Sequence, residues 1–176
     1  VFISYRREDG LANAGFLSEK LTNSGCRVFF DKKNIPPGAD FDHTIKTHLE
    51  RCNDVLLVVT KSYFGKKDLN HQLTIHQDSD WVRKEIALAL SQNKTIIPIL
   101  FNGVQLPEAS DIPDDIRAVL KRQYIKASND DDWDFIMNKI KKSLSQNTQT
   151  HMKFGQYVKI FNTISQNKKN HFTDEI

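Results

Sequence analysis

The chain has 176 residues and a mass of 20.3 kDa, the size of one domain with a short appendage at about 150 residues per domain. Its 25 Lys and Arg against 22 Asp and Glu leave a net charge of +3, too small and too interspersed an excess to point to nucleic acid. A hydrophobic content of 39% beside 27% charged residues excludes a disordered chain, and the longest apolar runs, residues 55–59 and 96–101, are far short of the ~20 residues that span a bilayer.

Two cysteines, Cys26 and Cys52, do not make a disulfide framework and predict a reduced, intracellular protein. The chain opens at Val1, already within a strand and with no charged-then-apolar leader. It is therefore expected to be a piece of something longer.

In chain order, residues 1–5 form a short β-prone run that stops at the polar run Arg6-Arg7-Glu8-Asp9-Gly10, which reads as a loop. Phe16, Leu17 and Leu21 predict a helix over 13–23, with Gly25 ending it. Residues 27–31 read as the second strand. Asn34-Ile-Pro-Pro-Gly38 then breaks regular structure, because two prolines lack donors and Gly38 tolerates positive φ. Phe41, Ile45 and Leu49 recur every four residues and predict a second helix.

Residues 54–60 are apolar without alternation, as in a parallel strand covered on both faces. Residues 61–79 are polar and poorly patterned. Residues 81–92 read as a helix and 95–101 as the fourth strand, which Pro98 is expected to interrupt or end. A short helix over 112–120, a weak edge strand over 123–126 and a closing helix over 133–144 complete the pattern. Strands alternating with helices imply an α/β fold with an open parallel sheet of about five strands, flavodoxin-like in order. A composition shift after Ser145 divides a domain at 1–145 from an extension at 146–176, where Phe154, Tyr157, Val158, Phe161 and Ile164 keep a helical stripe.

Ligands of such sheets bind beyond the carboxyl ends of the strands. Residues 5–7, the Pro-Pro-Gly loop and the start of the helix at Trp81 should meet there. Trp81 and Glu85 stand four apart and share one side of that helix, with Glu85 about 60° from the core stripe of Val82, Ile86 and Ala89. A carboxylate beside an indole suits the cleavage of a glycosidic bond, where it balances developing oxocarbenium charge. The same pattern also fits a solvated carboxylate and an ordinary packing ring.

Other motifs point to less chemistry. Arg6 and Arg7 suit phosphate or plain surface. No GxGxxG follows the first strand and there is no Walker lysine motif. His43/His48 and His71/His76, each five apart, point about 140° from one another on a helix, so no metal site is expected. Asp130-Asp131-Asp132 suits the start of the last helix.

Together these segments resemble a TIR (Toll/interleukin-1 receptor/resistance) domain. Phe2-Ile-Ser-Tyr5-Arg6-Arg7 resembles its first-strand motif, and Phe30-Asp31 with Ile35-Pro-Pro-Gly38-Ala-Asp-Phe41 its BB loop. Asp80-Trp81-Val-Arg-Lys-Glu85-Ile-Ala is similar to the helix signature of the NAD-cleaving branch, and Pro98 falls in the family's Ile-Pro-Ile strand. The resemblance spans about residues 1–145.

It implies that Glu85 is the catalytic glutamate that helps break the nicotinamide–ribose bond, with Trp81 beside it. Tyr5, Arg6, Gly38, Phe41 and Asp78 would line the substrate pocket. NAD⁺ would be a substrate, with no resident cofactor or metal, and the products nicotinamide and linear or cyclised ADP-ribose. Self-assembly with other TIR domains would complete the pocket, in cytoplasmic immune or cell-death signalling, with no nucleic-acid or membrane partner. Asn34 departs from relatives that carry lysine there. The alternative is a non-catalytic scaffold for TIR–TIR contact; a phosphorelay receiver is disfavoured by Tyr5-Arg6-Arg7 where acids are required.

Overall fold

Asp54 and the five apolar residues at 55–59 are all buried, because the strand they form has helices on both faces. The computed structural model describes residues 1–30, 41–128, 131–145, 148–149, 153–156 and 158–159, with the backbone alone of Phe41 and Asp42. The element order is β1 (Phe2–Ser4), α1 (Arg7–Asn23), α2 (Phe41–Arg51), β2 (Asp54–Val59), α3 (Lys61–Gly65), α4 (Trp81–Ser91), β3 (Thr95–Phe101), β4 (Ile125–Ala127) and α5 (Trp133–Ser143).

The four strands run parallel in the order β1-β2-β3-β4, with Phe2 opposite Val55, Val55 opposite Ile96 and Ile99 opposite Ile125. The expected second strand over 27–31 reduces to one bridge, Phe29 beside Phe2. The Ile3 amide donates to the Phe29 carbonyl at 3.0 Å, and the Phe29 amide to the Val1 carbonyl at 2.9 Å. That segment occupies a fifth position outside β1, so the chain steps to one side of β1 and then to the other. A reversal of this kind opens a crevice at the strand ends.

Alternation along the strands sorts the core. Ile3, Tyr5, Leu56, Val58, Ile97 and Ile99 face α1 and α5. Phe2, Val55, Leu57, Val59, Ile96 and Leu100 face α2, α3 and α4. Ser4 and Arg6, two and four residues from Phe2, therefore turn toward α4.

Three local expectations are corrected. Residues 7–10 are not a loop but the first turn of α1. Glu8 and Asp9 suit the positive helix end, and the Asp9 carboxylate also accepts from the Thr60 hydroxyl at 2.6 Å and the Ser62 amide at 2.9 Å. Pro98 does not interrupt β3: it pairs with Leu57 of β2, while pairing with β4 begins only at Ile99, so one flank is open at the proline. The helix expected over 112–120 is replaced by 3₁₀ turns at Ala109–Asp111 and Arg117–Lys121. Gly25 does end α1, at φ +91°, with the Cys26 amide returning to the Leu21 carbonyl.

Beyond α5, the buried Asp54 carboxylate accepts from the Ser145 amide at 2.7 Å, the Ser145 hydroxyl at 3.0 Å and the Thr148 hydroxyl. Gly155 approaches Gly25 so closely that a Cβ there would lie 3.0 Å from the Gly25 carbonyl oxygen. Among the described residues no helix is long and apolar enough to cross a membrane, and both cysteines are free thiols.

Candidate active site

The site is built on α4. Asp80 caps it by accepting from the Arg83 amide at 3.0 Å, and Asn93, at φ +51°, follows its last turn. The Asp80 carboxylate also meets Arg6 Nη2 at 2.8 Å. Arg6 is further fixed by Nε donating to the Tyr63 carbonyl at 3.1 Å and Nη2 to the Thr74 hydroxyl at 3.4 Å. The end of β1, α3 and the start of α4 are thereby joined around one guanidinium.

Glu85 is 2% exposed. The alternative of a solvated helix carboxylate is thus corrected: Glu85 turns to Ser4 at the end of β1 and to Tyr63 of α3 behind it, with the cavity beside α2 on its other side. Glu85 Oε2 accepts from the Ser4 hydroxyl at 2.6 Å, in the range of a charge-assisted bond. Ser4 Oγ in turn lies 2.8 Å from the Tyr63 hydroxyl. Burial, reinforced by the negative charges of Glu85 and Asp80, pushes the Tyr63 phenol well above the ordinary tyrosine range. It stays protonated and donates. With its own hydrogen directed at Glu85, Ser4 accepts from Tyr63.

Two cavities meet at Trp81. One, of about 270 Å³, lies between α2 and α4, walled by Ile45, Leu49 and Leu88, with Lys46, Lys84 and Glu85 supplying its charged groups. The other, of about 350 Å³, lies at the end of β1, lined by Tyr5, Arg6, Arg7, Glu8 and Lys66. Trp81 borders both, and the Lys84 ammonium stands 4.7 Å from its ring centre.

The structure thus brings Trp81 and Glu85 to one cavity and places Tyr5 and Arg6 in the adjoining one. Tyr5 is mostly a core residue, its ring 5.3 Å from that of Phe30. Asp78 stands apart: its carboxylate is 96% exposed and pairs with Arg83 at 2.8 Å. Arg83 sits two residues before Glu85, about 160° around the helix, and also holds Asp115. Gly38 lies outside the described residues, as do Asn34 and the Phe41 side chain.

Ser4, Tyr63 and Asp80 were missed as site residues. Period-two alternation from Phe2 was the available signal for Ser4; nothing in the polar stretch 61–79 marked Tyr63. Among the described residues no group of three or more His, Cys, Asp or Glu is placed to hold a metal.

Comparison with known proteins fits this architecture. The chain is 34% identical over 120 residues to the NAD(+) hydrolase sarm1 of Drosophila melanogaster, across 68% of this chain and 8% of that protein. It is 34% identical over 131 residues to the NAD(+) hydrolase tir-1 of Caenorhabditis elegans, across 74% and 13%. A probable 2' cyclic ADP-D-ribose synthase, BdTIR of Brachypodium distachyon, is 26% identical over 114 residues, across 62% and 45%. The chain therefore spans a minor part of the relatives it matches. A solved metazoan TIR-STING receptor from C. gigas, in complex with 2',3'-cGAMP, superposes with a TM-score of 0.51 at 20% identity, over 78% of this chain and 38% of that one, a likeness of fold. Residues 1–143 match the sequence profile of the TIR domain, and the chain belongs to that family.

Proposed function

We propose that the chain is an NAD⁺ glycohydrolase TIR domain that cleaves the bond between nicotinamide and ribose. The observation that carries this reading is the Glu85 carboxylate, buried at the wall of an apolar cavity, oriented by Ser4 and flanked by an indole. A pocket of this size takes part of a dinucleotide, and the cavity across Trp81 gives the rest of the molecule a second lobe with Arg6, Arg7 and Lys66 for its phosphates. The relatives named as NAD(+) hydrolases support the same substrate.

In this reading NAD⁺ is substrate and no resident cofactor is required. Nicotinamide departs as a neutral molecule and leaves positive charge on the ribose. The Glu85 carboxylate, fixed by the Ser4 hydroxyl, stabilises that charge as it develops. Water, or the adenine ring, then captures the carbon to give linear or cyclic ADP-ribose. Trp81 packs on the ligand, Tyr5 and Arg6 shape the second lobe, and Gly38 and Phe41 contribute from the BB loop. Asp78, turned away to Arg83, is left out.

Self-association with other TIR domains completes the site, in the cytoplasm and in immune or cell-death signalling. Residues 1–145 form the working unit and 146–176 an extension, of which Thr148 bonds to Asp54. The test is chromatography of products after NAD⁺ is incubated with a concentrated or crowded preparation. Nicotinamide with linear or cyclic ADP-ribose is the expected outcome; intact NAD⁺ would favour the scaffold.

A further inference from the structure

We infer that Ser4 and Tyr63 are positioning residues that hold the Glu85 carboxylate in one orientation, through an ordered hydrogen-bond chain running from the Tyr63 hydroxyl to Ser4 and from Ser4 to Glu85. This rests on the reading of Glu85 as the catalytic carboxylate.

The direction of the chain follows from its ends. Tyr63 is wholly buried, so no proton passes to solvent through it. Its phenol is held protonated by burial and by the negative charge nearby. Ser4 has one hydrogen, and the 2.6 Å separation from Glu85 Oε2 against 2.8 Å to Tyr63 places that hydrogen on the carboxylate side. A chain closed at its far end does not carry protons. It fixes which way Oε2 points.

Charged groups from two other elements stand near among the described residues. Lys46 lines the cavity from α2 and Lys84 from α4 itself, while the Arg6–Asp80 pair lies behind Ser4 and Tyr63. Of the contacts named here, the Ser4 hydroxyl is the one that donates to Oε2.

The test uses Ser4→Ala, Tyr63→Phe and the double variant, which avoids stranding the phenol if Ser4→Ala alone folds poorly. Loss of a hydrogen bond to a charged group should free the Glu85 carboxylate to turn and lower kcat for nicotinamide release by about tenfold or more in Ser4→Ala, with KM little changed. Tyr63→Phe should lower it by less. Two measurements read this. One is the ¹³C resonance of the side-chain carboxyl at a fixed pH, assigned by comparison with Glu85→Gln, which moves when the Ser4 hydroxyl is lost and needs no turnover. The other is kcat for nicotinamide release, read apart from KM.

A moved carboxyl resonance without any turnover would uphold the chain and sink the functional reading. A resonance unmoved in Ser4→Ala and in the double variant would overturn the inference, even if activity fell.

Discussion

Arg6 and Asp80 form an ion pair at 2.8 Å in which the two side chains are only 8% and 3% exposed. Asp80 is at the same time the N-cap of the helix that carries Trp81 and Glu85. The first strand therefore sets where the candidate catalytic helix begins. Removing one partner of a buried pair leaves the other charge uncompensated. Arg6→Ala should lower stability by about 3–5 kcal/mol, and Asp80→Asn, which keeps a cap, should lower it too. Urea midpoints measure both. A loss under about 1 kcal/mol for Arg6→Ala would contradict the bracing role and leave Arg6 only as a lining residue of the second lobe.

Trp81 and Asp78 separate the site from its surroundings. Stacking of a base on an aromatic ring is worth about 1–3 kcal/mol, so Trp81→Ala should raise KM for NAD⁺ by about tenfold or more. Asp78→Asn should leave turnover alone and shift stability by under about 0.5 kcal/mol, as expected of an exposed pair. Steady-state kinetics on the two variants decide this; a large defect in Asp78→Asn would return that residue to the pocket.

Alkaline stability follows from two buried acids. Burial pushes the Cys26 thiol from 9.0 up to about 11, and the Tyr63 phenol rises well above 10.0. Both folded values are raised, so their stabilising effect is complete below the unfolded values. Above pH 9 the unfolded chain gives up protons that the folded chain keeps, and stability falls, by at most about 1.4 kcal/mol per pH unit per group. Cys26→Ala should flatten the decline between about pH 9 and 11, and Tyr63→Phe the decline above pH 10. Urea unfolding at pH 8, 10 and 11 checks the sign; stability that climbs across this range would contradict it.

Asp54 anchors the chain beyond α5. Its carboxylate is fully buried and accepts from Ser145 twice and from Thr148. Asp54→Ala removes charge-assisted bonds worth about 1.5–3 kcal/mol each, so limited proteolysis after Leu144 should quicken by about tenfold or more. An unchanged cleavage rate would show that Gly155 against Gly25 and the Lys159 ammonium on the Thr22 carbonyl hold the extension without it.

The elements legible in the sequence were those whose burial leaves a pattern. The uniform apolar runs of β2 and β3 and the four-residue spacing of Phe41, Ile45 and Leu49 were read correctly. Polar residues with structural partners were not. Glu8 and Asp9 look like a loop until Thr60 and Ser62 come to meet Asp9, and β3 accepts Pro98 because pairing with the neighbouring strand starts one residue later. At the site, helical spacing put Trp81 and Glu85 together, whereas the hydrogen bond that seats Glu85 comes from Ser4 of β1, and its link to Tyr63 joins residues 22 apart on different elements. Sequence spacing carries contacts within a helix; it does not carry contacts made by packing one layer on another.

The central claim is that one buried carboxylate on α4 breaks the nicotinamide–ribose bond. Its most direct test is nicotinamide release from NAD⁺ by the wild type and Glu85→Gln side by side, at equal concentration, with circular dichroism and self-association checked for both. The account predicts release by the wild type and loss of at least about a hundredfold in the variant, with fold and association unchanged. Equal release from the two proteins would contradict it.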